Sequence, residues 1–134
     1  KDALVIGIGY PASENLIEQA NQFNDTVEKY GNDVAVIHII TGINPMSADV
    51  VQMRQNLNIS WPILMDQDAK FASTLPDGVS DSVVIVDKAM HVTFSQVPIA
   101  YSDDISEAID DIPAGGSQNI ASYFSLLLGS LKDI

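Results

Sequence analysis

The amino-acid sequence predicts an α/β domain: a mixed β-sheet with helices on both faces. Three observations predict it. Two continuous apolar runs, 3–9 and 34–40, flank a segment of helical period. Two further strands, 82–87 and 91–97, are separated by only three residues. A helix with its acids outward follows that pair.

Each element has a local reason. The run Ala3-Leu4-Val5-Ile6-Gly7-Ile8-Gly9 lacks polar alternation, so it reads as a strand buried on both faces. Pro11 stands where a helix can begin, and Leu16, Ile17, Ala20, Phe23, Val27 and Tyr30 recur at helical spacing. Gly31-Asn32 stops that helix. A second buried strand covers 34–40, closed by Thr41-Gly42. Ser47 can cap a helix carrying Val50, Val51, Met53, Arg54 and Leu57. Residues 61–65 form a short extended piece, and Asp68 can cap a one- or two-turn helix to Leu75. Pro76-Asp77-Gly78 is a turn. Lys88-Ala89-Met90 is too short for a crossover, so the strands on either side pair antiparallel. Ser102 caps a helix with Ile105, Ala108, Ile109 and Ile112 inward. The domain is expected over 1–112, a flexible hinge over 113–117, and a C-terminal apolar helix over 118–134.

Composition bounds the chemistry. The chain has 134 residues, 46% hydrophobic and 18% charged, enough to build one core. Eighteen acids against six bases give a formal charge of −12. That argues against nucleic acid, whose phosphates need a basic surface, and against anionic lipid. No apolar run approaches the roughly 20 residues of a membrane span. There is no cysteine, so disulfides, thiol catalysis and thiolate metal sites are excluded together. Two histidines do not suggest a histidine-rich metal centre, and no cofactor is expected.

The sequence opens at Lys1 and enters a strand within two residues, as removal of a leader or excision from a longer precursor would leave it. Asn24-Asp25-Thr26 and Asn58-Ile59-Ser60 are glycosylation sequons. Together these features suggest a secreted protein.

Three stretches carry a resemblance. They are the junction Gly7-Ile8-Gly9-Tyr10-Pro11-Ala12-Ser13, the middle segment 57–66, and the hairpin 82–92 with its Val-Ile-Val-Asp. In these motifs, and in the order of its elements, the chain resembles the thioredoxin superfamily, a three-layer sandwich. The run from Val97-Pro98-Ile99 to Ala108-Ile109 is most similar to selenoprotein P N-terminal domains, with peroxiredoxin-like domains also close. Met90 departs from the pattern, standing where glycine is usual. The resemblance implies a redox C-x-x-C, or its selenocysteine form, at the end of the first strand. Tyr10-Pro11-Ala12-Ser13 holds those four places here. It also implies a cis-proline before the first hairpin strand, where Asp81 or Ser82 stands instead. The scaffold is expected and the redox activity is not.

Other candidate sites follow from residue chemistry. Free N–H groups at the helix start near Ser13 attract anions. Ser13 as a nucleophile would need His38 or His91 as base, and no nucleophile elbow is present. His38, among aliphatics, reads as a packed histidine with one hydrogen-bond partner, and His91 as solvent-facing. Asp103, Asp104, Glu107, Asp110 and Asp111 form an acidic helix face that could hold divalent cations loosely, with no calcium-loop motif to make a specific site. Asp66-Gln67-Asp68 is a second acidic cluster. In the last helix Ile120, Phe124, Leu127, Leu128 and Leu131 make an apolar stripe. Burying it is worth on the order of 8 kcal/mol before entropy, so it is expected to dock on its own domain, a second copy or a partner protein. The sequence therefore predicts a non-enzymatic, redox-inactive binding or assembly protein. The alternative is an acidic low-affinity cation binder of calsequestrin-like character.

Overall fold

The computed structural model of the protein describes residues 3–10, 13–42, 47–75, 81–112, 118–119 and 132–133. Strand β1 (Ala3–Gly9) leads to helix α1 (Glu14–Tyr30), a 3-10 turn at Gly31–Asp33, and β2 (Val34–Gly42). Helix α2 (Ser47–Asn56) and β3 (Ile63–Gln67) come next, then a 3-10 turn at Ala72–Thr74. The hairpin β4 (Ser82–Asp87) and β5 (His91–Gln96) precedes α3 (Ser102–Asp110). Two short strands, β6 (Gln118–Asn119) and β7 (Lys132–Asp133), complete the described chain.

The sheet has the order β6-β5-β4-β1-β2-β3-β7. β1 pairs parallel with β2, and β2 with β3. β4 pairs antiparallel with β1 and with β5. The mixed α/β sheet expected from the sequence is thus present, and its parallel half comes from two crossovers that place α1 and α2 on one face.

Strand alternation divides the core. Ala3 and Val5 of β1, Val34, Val36 and Ile40 of β2, and Val83 and Ile85 of β4 face the helices. Leu16, Ala20 and Phe23 of α1, Val50 and Met53 of α2, and Ile105 and Ile109 of α3 pack down onto them. The opposite face carries Ile6, Ile8, Ile37, Ile39, Val84 and Val86, covered by Phe71, Ala72 and Leu75. All three described α-helices therefore lie on one face, and the described cover on the other is the 3-10 turn.

Several local expectations change. Asp68 is not a cap: its φ is +61°, and the short helix is organised by Asp66. The buried Asp66 carboxylate accepts the Phe71 N–H at 3.0 Å and the Ala72 N–H at 2.8 Å. Asp66→Ala orphans both donors, and chemical denaturation should show a loss of about 2 kcal/mol. The cap residue of α3 is Tyr101, not Ser102, and the Ser102 N–H is taken by Gln22 Oε1 at 2.7 Å. Met90 does adopt the glycine-like conformation, with φ +65°, in a turn whose N–H groups of Ala89 and His91 point at Asp87 Oδ1. Gln118 and Asn119 form a strand against Val92 and His91 where the sequence pattern suggests a helix. Ile120, Phe124, Leu127, Leu128 and Leu131, and the hinge 113–117, lie outside the described residues.

Candidate functional site

The corner at the end of β1 is built from three elements. Ser13 is the N-cap of α1, with φ −67° and ψ 153°, and its Oγ accepts the Leu16 N–H at 3.1 Å. The same hydroxyl points its proton at Asp81 Oδ2, 3.4 Å away, and Asn15 Nδ2 donates to that oxygen at 3.0 Å. Asp81 immediately precedes β4, so the carboxylate occupies the position expected of the cis-proline. A cis peptide does occur nearby, at Val97-Pro98 beyond β5. Tyr10 is about half exposed at 49%. Pro11 and Ala12 lie outside the described residues.

This geometry decides what the corner can do. The Asp81 carboxylate is held beside the start of α1 through the Ser13 hydroxyl and the Asn15 side-chain amide, and Glu14 adds a second acid in the first turn, so the local charge disfavours an anion there. Ser13 is engaged as both acceptor and donor, and no imidazole reaches it. His91 begins β5, at the opposite end of the hairpin from Asp81. His38 is fully buried and both of its ring nitrogens are engaged.

His38 belongs to a buried polar chain that the sequence reading missed. Trp61 Nε1 donates to His38 Nδ1 at 2.9 Å. An indole N–H only donates, so Nδ1 is unprotonated and Nε2 carries the hydrogen. Nε2 then donates to Gln19 Oε1 at 3.1 Å. Gln19 Nε2 in turn faces the carbonyls of Ile8 at 3.2 Å, Ser82 at 3.2 Å and Pro98 at 3.0 Å. The one partner expected for His38 is therefore two. Burial lowers its pKa from 6.5 to about 3, so the ring is neutral at physiological pH. Phe23 stacks on it with centroids 4.9 Å apart. Room for the ring comes from Gly7, its direct neighbour on β1. The signal for Gln19 was visible, since it is a polar residue on the core stripe of α1 between Leu16 and Phe23.

The remaining candidates fall apart in space or stand open to solvent. Asp103, Asp104, Glu107, Asp110 and Asp111 are all exposed along α3, and Asp110 Oδ1 accepts the Tyr30 hydroxyl at 3.0 Å. Among the described residues no group of three or more His, Asp or Glu side chains is arranged to hold a metal ion. Asn24 sits within α1 with its Nδ2 on the carbonyls of Ala20 and Leu57, and Thr26 beside it is buried. Asn58 and Ser60 are exposed, and Asn58 occupies a left-handed turn with φ +54°. Among the described residues no helix is long and apolar enough to cross a membrane.

No protein-family model and no curated protein matches the sequence. Solved structures do match the fold. A putative thioredoxin from Neisseria meningitidis aligns with a TM-score of 0.67 at 15% identity, covering 84% of this chain and 78% of that one. A DsbF homologue from Corynebacterium diphtheriae aligns with a TM-score of 0.70 at 16% identity, covering 83% and 72%. The exposed lipoprotein thioredoxin of Streptococcus pneumoniae aligns with a TM-score of 0.68 at 15% identity, covering 83% and 85%. With its mixed sheet, hairpin and helix-bearing face, the chain has a thioredoxin-like fold and no cysteine to go with it.

Proposed function

We propose that this chain is a redox-inactive thioredoxin-like module that works by binding another protein. One observation carries the reading. Where the fold's redox motif would begin and end stand Tyr10 and Ser13, and the Ser13 hydroxyl is tied to Leu16 and Asp81. Thiol–disulfide exchange needs a thiolate, and neither a phenol nor a capped alcohol replaces it. The run 97–109 supports a selenoprotein P-like kinship within the fold, with the selenium or sulfur centre lost. The exposed sequon at Asn58, and the surface location of the S. pneumoniae lipoprotein, support a place outside the cell.

The test is an insulin-reduction assay with dithiothreitol, together with peroxide turnover. Both rates should match those of a heat-denatured sample. Turnover clearly above that control overturns the reading.

The C-terminal stripe also enters this proposal. β6 pairs with β5 and β7 with β3, so Asn119 and Lys132 lie at opposite edges of the sheet. That placement supports docking of Ile120, Phe124, Leu127, Leu128 and Leu131 on the chain's own domain rather than on a second copy.

A further inference from the structure

The two sequons stand in opposite surroundings. Asn24 lies within α1, and its amide nitrogen donates to the carbonyls of Ala20 at 3.2 Å and Leu57 at 3.3 Å. Those two bonds use both of its hydrogens. Thr26, which completes this triplet, is buried, and its hydroxyl donates to the Gln22 carbonyl at 3.4 Å. A sugar on Asn24 Nδ2 replaces one of those hydrogens and sets a bulky polar ring where α1 meets Leu57. Folding therefore selects against it.

Asn58 stands just past the C-terminus of α2, with φ +54°. The Leu57 N–H donates to the Met53 carbonyl at 2.9 Å and the Ile59 N–H to the Arg54 carbonyl at 3.1 Å. The second bond spans the Schellman interval, with Asn58 as the left-handed residue that ends the helix. Glycine or asparagine suits that place, so the fold accounts for Asn58 taken alone. It does not account for Ser60, whose hydroxyl makes no hydrogen bond among the described residues. Burial alternates along this turn. Ile59 and Trp61 are sunk in the core on the helix side of the sheet, and Asn58 and Ser60 are both exposed. The amide and the hydroxyl of the triplet are thus open to solvent together. The bonds that end α2 here are backbone bonds, so a group added to Asn58 Nδ2 breaks neither of them.

We propose that Asn58 is an N-glycosylation site and that Asn24 is not. The inference rests on the extracellular reading and adds which of the two sequons is modified, and why. The donor is an oligosaccharide carried on a polyprenyl pyrophosphate. Asn58 Nδ2 gives up a proton and bonds the anomeric carbon of the sugar. The bond from that carbon to the pyrophosphate oxygen breaks, and the lipid pyrophosphate leaves with the electron pair.

The full chain is expressed behind a cleavable secretory leader in a eukaryotic host, and the secreted protein is read by intact mass and peptide mapping. One glycan should be found, on the peptide that contains Asn58, and peptide N-glycosidase should remove it. Asn58→Gly suits the left-handed turn, and Ser60→Ala leaves that turn untouched. Each should lower the glycosylated fraction about tenfold or more. Thr26→Val fills the same buried space without the hydroxyl, and should change that fraction less than about twofold. A secreted chain without sugar, a glycan mapped to Asn24, or a glycan that survives Ser60→Ala overturns the inference. The leader brings the chain into the secretory lumen whatever its native address. An unmodified chain therefore overturns the Asn58 site and leaves the extracellular reading to stand or fall on its own evidence.

Discussion

Gly7→Ala should cost about 3 kcal/mol or more, although alanine is ordinarily the better residue in a strand. A Cβ at this position would lie 2.5 Å from His38 Nε2, 2.6 Å from its Cδ2 and 2.7 Å from Phe23 Cε2. Neither ring can give way cheaply. His38 is held at both nitrogens, and Phe23 is fully buried between His38 and Trp61. Displacing the imidazole would strand Trp61 Nε1 and Gln19 Oε1, adding about 1–3 kcal/mol for each unpaired group. Urea unfolding monitored by Trp61, the only tryptophan, gives the measurement directly. The cause is checked in a His38→Ala background, where the penalty for Gly7→Ala should shrink by at least about 1 kcal/mol. An unchanged penalty in that background removes His38 from the explanation.

Acid should destabilise the fold well before its carboxylates are neutralised. The folded state holds His38 neutral with a pKa of about 3, whereas the unfolded chain binds a proton near 6.5. The unfolded state therefore carries the extra proton, and stability rises with pH across that window. Above 6.5 the contribution is fully present. It is lost as the pH falls, by about 2 kcal/mol at pH 5 and on the order of 4 kcal/mol at pH 3. A His91→Gln background leaves His38 as the sole imidazole. There the unfolding free energy between pH 6 and pH 5 should slope at about 1.3 kcal/mol per pH unit. A flat profile over that unit would mean that the buried ring is not held neutral.

Much of the architecture was legible in local pattern. The unbroken apolar runs of β1 and β2 belong to strands covered on both faces, and three residues between β4 and β5 left only a hairpin. The absence of cysteine is read from residue identity alone, and the structure adds how Ser13 at the start of α1 is bonded. Elements set by distant contacts were harder. Asp66 rather than Asp68 organises the turn because its carboxylate reaches five and six residues forward, a geometry that periodicity does not encode. Tyr101 precedes α3 without a side-chain cap because Gln22, 80 residues away, meets the first free N–H. The two-residue strand at Gln118 and Asn119 is too short to leave any period, so an amphipathic stripe beside it governed the expectation. Asp81 shows the same limit. Its place before β4 was visible, but its bond to Asn15 joins positions 66 residues apart.

The chain of Trp61, His38 and Gln19 also limits how the helix layer can sit. Leu16, Ala20 and Phe23 meet a floor of valine and isoleucine, and aliphatic surfaces alone tolerate sliding. Moving α1 by a single turn would carry the Gln19 amide more than 5 Å from its partners and leave several dry polar atoms unmatched. Only one alignment of helix over sheet satisfies them all, so this small amount of polarity acts as an index pin for a hydrocarbon layer that would otherwise have several settings.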